Sequence, residues 1–149
     1  MAQGDSDNNP DTVGDPNFVP FGAPASNTSG PNSTPPFPAY ASGHAAYGGA
    51  LFQILRRFYR TDRIAFSFIS DELNGVTLDN KGMARPLIPR HFRSLSQAEE
   101  ENGQSRIYLG IHWSFDKTEG IKQWNRVADY VFDNSFRRRI HRRGPTDEE

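Results

Sequence analysis

The chain contains no cysteine, which excludes disulfides, thiolate nucleophiles and thiolate metal sites and leaves its compartment unread. It also lacks any apolar run of membrane-spanning length, and Met1-Ala2-Gln3-Gly4-Asp5 does not read as a signal peptide. A soluble chain is therefore expected. Charge bias is missing too: 17 Lys and Arg against 18 Asp and Glu give a net charge of −1, so nucleic acid is not an expected partner. Apolar residues make up only 35% of the 149, and the shortage is concentrated at the front. Residues 1–36 are rich in Asn, Asp, Pro, Ser and Gly and cannot bury enough surface to offset their ordering entropy. We read them as an irregular or disordered lead-in, residues 37–136 as the packed portion, and residues 137–149 as a charged tail.

What is present begins with Pro35-Pro36-Phe37-Pro38-Ala39-Tyr40, held extended by its prolines. It delivers the chain to Ser42, a favourable N-cap, and a helix is expected over Ala45–Arg60 with Tyr47, Leu51, Ile54, Leu55 and Phe58 on one stripe. Gly48-Gly49 weakens that helix by about 1 kcal/mol per glycine relative to alanine, which close approach by another helix would explain. Ile64–Ile69 is a short apolar stretch, Asn74-Gly75 and Asn80-Lys81-Gly82 read as turns, and 79–92 reads as an irregular connection. Ser94 or Ser96 can cap a second helix ending at Gly110; Glu99 stands at capping-box distance from Ser96. A third helix is expected from Ser114 or Phe115 to about Arg139, with Trp124, Val127, Ala128, Val131 and Phe132 as its stripe. The fold class is all-α, with long irregular connections.

Two segments carry chemistry. Ser42-Gly43-His44 combines a hydroxyl donor, a bare backbone amide and an imidazole at a helix N-terminus, where unpaired N–H groups and the helix dipole favour an anion. Ser105-Arg106-x5-His112-x3-Asp116 adds a guanidinium fork suited to two oxygens and a second histidine. On an unbroken helix Arg106 and His112 would face different ways; a break near Gly110 removes that objection. Asp116, four residues after His112, can accept from the imidazole and fix its tautomer, freeing the other nitrogen to bind a metal centre or attack phosphorus. Either segment alone would read as a helix cap or a surface pair. Together they describe a site for a tetrahedral oxyanion. His91, between Arg90 and Arg93, reads as a surface residue, and His141 has no partner pattern.

These residues resemble the vanadium-dependent haloperoxidases, whose helical-bundle fold and active site are shared with type-two phosphatidic acid phosphatases and bacterial acid phosphatases. The likeness extends through Gly22–Asn27, Pro35–Ala45, Gly48-Gly49-Ala50, Glu72-Leu73-Asn74-Gly75 and Ser105–Asp116, and fits the fungal-type chloroperoxidase branch. It implies the C-terminal part of such a fold and a vanadate cofactor. His112 would be the axial nitrogen ligand, His44 the acid–base group, and Ser42, Gly43 and Arg106 the holders of the equatorial oxygens. Asp116 would orient His112. Phe37, seven residues before His44, would shape a chloride-type halide pocket. The implied partners are hydrogen peroxide and a halide, with a small organic acceptor compatible with the same pocket. The implied product is hypohalous acid.

Two departures stand against the pattern. Ala41 replaces the proline usual before Ser-Gly-His, a small loss of preorganisation. The family's first motif, a lysine followed six residues later by Arg-Pro, is absent; Lys81–Pro86 has the wrong spacing and lies between the other motifs. The expectation is a haloperoxidase chain short of its first oxyanion motif, completed by an upstream segment or by self-association. The alternatives are a phosphomonoesterase with a histidine nucleophile and an inactive fragment. Halide preference beyond chloride, oligomeric state and compartment are not legible.

Overall fold

The structure is a computed structural model that describes residues 13–14, 37–79 and 81–135. The expected lead-in, apart from Val13 and Gly14, and the expected charged tail with His141 lie outside the described residues. Three helices form the body: α1 (Gly43–Tyr59), α2 (Leu95–Tyr108) and α3 (Ser114–Asn134). Between α1 and α2 a two-stranded antiparallel sheet pairs β1 (Phe66–Phe68) with β2 (Arg90–Phe92) in the register Phe66 to Phe92 and Phe68 to Arg90. This small sheet joins the expected apolar stretch to the end of the expected irregular connection; the body is otherwise helical. Among the described residues no helix is long and apolar enough to cross a membrane.

Local chemistry accounts for each helix end. The Ser42 hydroxyl accepts from the Ala45 amide at 3.4 Å, capping α1. For α2 the cap is Ser94, whose hydroxyl accepts from Gln97 N at 3.1 Å. The Ser96 and Glu99 capping box does not form, because both side chains have stronger partners elsewhere. Ser96 donates through its amide and hydroxyl to Asp62 Oδ1 at 2.9 and 2.7 Å. Glu99 takes Arg56 in a two-point pair at 2.9 and 3.0 Å. Gly110, with φ of 71°, stops α2 in the left-handed region. Ile111 N donates to the Arg106 carbonyl at 3.3 Å and Gly110 N to that of Ile107 at 2.9 Å, the two bonds of a Schellman motif. α3 ends at Asn134, earlier than expected, because Ser135 turns to extended backbone with φ −116° and ψ 160°.

The helices approach most closely through small residues, with only part of the large apolar stripes in the contact: the Tyr47 and Trp124 rings lie 5.9 Å apart. α1 buries Ala45, Ala46, Gly48 and Gly49, while Tyr47 (72%) and Phe58 (69%) are exposed. α3 buries Asp116, Gly120 and Ala128, spaced by about one and two turns on one face, and leaves Val127, Val131 and Phe132 partly open. The expected stripes therefore mark the helices and part of their contact, through Ala128 and the Tyr47–Trp124 pair, but not the small residues where the helices come closest. The reason is the approach distance. A Cβ on Gly49 would lie 2.9 Å from the Ile121 carbonyl oxygen, and one on Gly120 would lie 3.0 Å from that of Ser42. Both obstacles are backbone, which cannot swing aside as a side chain can.

One buried polar cluster ties all three helices. Arg56 of α1 holds Glu99 of α2, and the Asn125 amide of α3, oriented to donate, reaches Glu99 at 3.1 Å and the Gly49 carbonyl at 2.7 Å. Each member is satisfied by the others, the condition under which burial of such groups specifies one arrangement. The large side chains left over on α1, including Tyr47, Leu51 and Leu55, face Phe66, Phe68 and Leu95 across an apolar cavity of about 770 Å³.

Replacing Gly49 with alanine is expected to destabilise the fold by about 1–3 kcal/mol despite alanine's better helix propensity, because the added methyl meets backbone. Thermal or urea unfolding measures it, and Gly43→Ala, where nothing lies within 4 Å of the new Cβ, serves as the comparison.

Candidate functional site

The two motifs meet at the start of α1. Ser42 N donates to the Asp116 carbonyl at 3.2 Å, so the loop entering α1 is hydrogen-bonded directly to the first turn of α3. Gly120, one turn further along α3, sits beneath the Ser42 carbonyl and leaves no room for a side chain. Ser42 and Asp116 are the largest side chains fully shut off from solvent. The Ser42 hydroxyl takes the Ala45 amide and its carbonyl takes the Ala46 amide, leaving the Gly43 and His44 amides at the open helix end. A Cβ built on Gly43 meets nothing within 4 Å, so space adjoins the backbone where an anion would approach.

The second motif is shaped by the Schellman turn. α2 carries Arg106 in its last turn, the chain reverses through Gly110, and His112 follows on the far side of the break. This supplies the interruption that the six-residue spacing needs. His112 is buried; its Nδ1 lies 3.4 Å from Asp116 Oδ2, a long contact that still selects which ring nitrogen faces the carboxylate. The same oxygen accepts from Trp113 N at 2.9 Å, so Asp116 caps α3 while it faces His112.

Two buried polar atoms at this place have no partner among the described residues: Arg106 Nε and Asp116 Oδ1. A buried guanidinium N–H without an acceptor is costly and is a natural donor for an oxyanion. Burial draws the Arg106 pKa below its ordinary value, and the negative charge of Glu72 works against that shift. Glu72, in the short 3-10 turn Asp71–Leu73, is the one carboxylate that enters the electrostatics of Arg106, and spacing along the sequence gave no sign of it. His44 is exposed, yet partial desolvation first, then the positive charges of Arg106 and His112, lower its pKa. That coupling shows that His44, Arg106 and His112 share one neighbourhood. His44 is consequently neutral at neutral pH and able to accept a proton.

The remaining expectations divide. Ser105 spends its hydroxyl on the Asn102 carbonyl at 2.7 Å. Phe37 is exposed and is not among the residues lining the apolar cavity. His91 is exposed on β2, with its Nδ1 2.6 Å from the Ser67 hydroxyl across the sheet, as a surface residue should be. No group of three or more His, Asp and Glu is gathered among the described residues. Asn102, which donates from Nδ2 to the His44 carbonyl at 2.7 Å, was not singled out by the sequence; its place one turn before Arg106 is the signal that would have found it.

His44 is expected to titrate below the ordinary imidazole value of about 6.5 when followed by NMR in the free chain. Arg106→Ala removes one of the causes and should raise it part of the way back. The unfolded chain binds this proton more readily than the folded one. The contribution of His44 to stability is therefore present above about pH 6.5 and lost as the pH falls through the folded-state value.

The chain is similar over residues 2–140 to a family model described as the VCPO second helical-bundle domain. It is 44% identical to the vanadium chloroperoxidase of Curvularia inaequalis, over 69% of this chain and 21% of that protein. A crystal structure of a bacterial vanadium-dependent iodoperoxidase is 35% identical with a TM-score of 0.51, covering 68% of this chain and 22% of that one. A holo-type bacterial vanadium-dependent chloroperoxidase shares the fold at 20% identity, with a TM-score of 0.54 over 64% of this chain and 20% of that one. The chain thus spans about a fifth of the length of these relatives. Three packed helices bearing both oxyanion segments match that domain, and the chain belongs to the vanadium haloperoxidase family through its second helical-bundle domain.

Proposed function

We propose that this chain provides the vanadate-holding half of a haloperoxidase site that oxidises halide with hydrogen peroxide to hypohalous acid. The observation that carries the reading is the unpartnered Arg106 Nε, which with His112 acts electrostatically on His44, next in sequence to the open backbone at Gly43. Donors without acceptors, next to an unobstructed backbone, suit a tetrahedral oxyanion better than they suit a closed core.

In this reading Gly43 N–H, the Ser42 hydroxyl and the Arg106 guanidinium hold the oxygens, and His112 supplies the nitrogen ligand. Ser42 is fully buried, so its hydroxyl serves by a small reorientation from the Ala45 amide, with which its contact is only 3.4 Å. Asp116 draws the Nδ1 side of His112 toward itself, which directs the other nitrogen's lone pair outward. Bound vanadate supplies a Lewis-acid centre that activates peroxide toward halide with no change in metal oxidation state. His44, neutral at rest, takes the proton that peroxide gives up and returns it to the departing oxygen. Arg106 stabilises negative charge as it builds on the oxygens, in a place where burial strengthens its field. Phe37 is assigned to the halide side by resemblance alone. Hydrogen peroxide and halide are the small-molecule partners.

Orthovanadate calorimetry with phosphate as competitor tests the reading. Vanadate should bind and be displaced by phosphate, and His112→Ala should abolish the heat. An unchanged affinity in that variant would remove His112 from the site. Halide-plus-peroxide turnover without phosphate release from a monoester separates a peroxidase from a phosphomonoesterase. Binding without either turnover would identify an incomplete site that lacks the charge of the missing Lys and Arg-Pro motif.

A further inference from the structure

Asn102 connects the two halves of the site through the backbone. It lies on α2 four residues before Arg106, one helical turn away on the same face. Its Nδ2 donates to the carbonyl of His44 at 2.7 Å. That carbonyl belongs to the first turn of α1, where it also serves the helical N–H four residues on, so Asn102 occupies its second lone pair. The bond therefore runs from the helix bearing the oxyanion arginine to the residue bearing the acid–base ring.

Gly48 makes the contact geometrically accessible. A Cβ there would lie 2.5 Å from Asn102 Nδ2 and 3.4 Å from its Cγ. Any side chain at position 48 would displace the amide before it reached His44. Unlike Gly49, whose neighbour is backbone, Gly48 faces the tip of one flexible side chain, so its requirement is specific to that amide. The pair Gly48-Gly49 thus has two separate duties: one admits α3, the other admits Asn102.

We propose that Asn102 is a positioning residue that sets the separation of His44 from Arg106, with Gly48 as the notch that receives it. It touches neither reacting atom. The proposal rests on the vanadate reading of the site and deepens it.

The test is orthovanadate calorimetry on the full chain, with thermal unfolding measured in parallel. Asn102→Leu keeps the side-chain shape and removes the donor. Gly48→Ala keeps Asn102 and pushes its amide away, while improving intrinsic helix propensity. Each should weaken vanadate binding by about tenfold or more, the size of effect seen when a supporting hydrogen bond behind a ligand site is lost. The double variant should bind no more weakly than the weaker single, because both remove the same bond. Gln53→Leu is the control for general loosening: it cuts the 2.8 Å bond to Asp129 between α1 and α3 and the 2.8 Å bond accepted from Arg56 Nε, both away from the site. That variant should bind within about twofold of the parent.

Parent-like affinity in Asn102→Leu and Gly48→Ala overturns the positioning role and leaves the vanadate reading standing. Equal losses in Gln53→Leu overturn it as well, since any loosened helix contact would then suffice. Additive losses in the double variant overturn the notch. A parent chain with no affinity for vanadate overturns the site reading and this proposal with it. Should Asn102→Leu fail to fold, Gly48→Ala decides the question.

Discussion

The structure depends on how closely α1 and α3 approach. Their contact is made of glycine and alanine on one side and backbone on the other, with Gly49 against Ile121 and Gly120 against Ser42. Because the helices nearly touch, the Ser42 amide can reach the Asp116 carbonyl, and the oxyanion loop is joined to the helix that orients His112. A wider spacing filled by leucines would bury more apolar surface, yet it would separate these two groups. The packing thus gives up buried area for that close approach. The exposed Tyr47, Leu51 and Phe58 are the visible consequence.

That geometry also explains how the site holds polar groups in unfavourable surroundings. Arg106 is desolvated with one donor unpaired, and Asp116 is shut off from solvent with one oxygen unpaired. Both conditions cost free energy and are retained only where the surrounding structure imposes them. The Arg56, Glu99 and Asn125 cluster supplies that constraint by fixing the three helices to one another two to three turns from the site. The contrast between the two clusters is instructive. One is fully satisfied and fixes the frame; the other is left incomplete at the point where a ligand would enter.

Much of this was legible in the sequence because it is local. Ser42 before an apolar run, Gly110 four residues before the next helix, and the four-residue step from His112 to Asp116 are short-range signals with short-range causes. What failed were readings that depend on partners far along the chain. Glu99 has capping-box spacing from Ser96, yet Arg56, 43 residues earlier, gives it two charged hydrogen bonds in place of one neutral contact. The large apolar stripes indicated helices and part of the packing face, but not the glycines where the helices come closest, since periodicity does not report the distance between helix axes. Strand pairing of Phe66–Phe68 with Arg90–Phe92 was hidden by the prolines between them. Asn102 stands one turn before Arg106, but its partner His44 lies 58 residues earlier, so its spacing gave the face and not the partner.

The charge balance of the site bears on when it would be filled. Arg106 and the α1 N-terminus, equivalent to about half a positive charge, are the fixed cationic features the structure places there. His44 adds nothing at rest, since burial and its cationic neighbours keep it neutral at neutral pH. An oxyanion carrying more than one negative charge would therefore be incompletely neutralised by the groups present. It would favour a protonated His44, because an anion beside the ring opposes the causes that lower its pKa. Ligand binding and proton uptake at His44 are coupled on this argument, and affinity should rise as the pH falls toward the point where His44 protonates unaided. The lysine and Arg-Pro pair of the resembled pattern would remove that coupling by supplying the charge permanently.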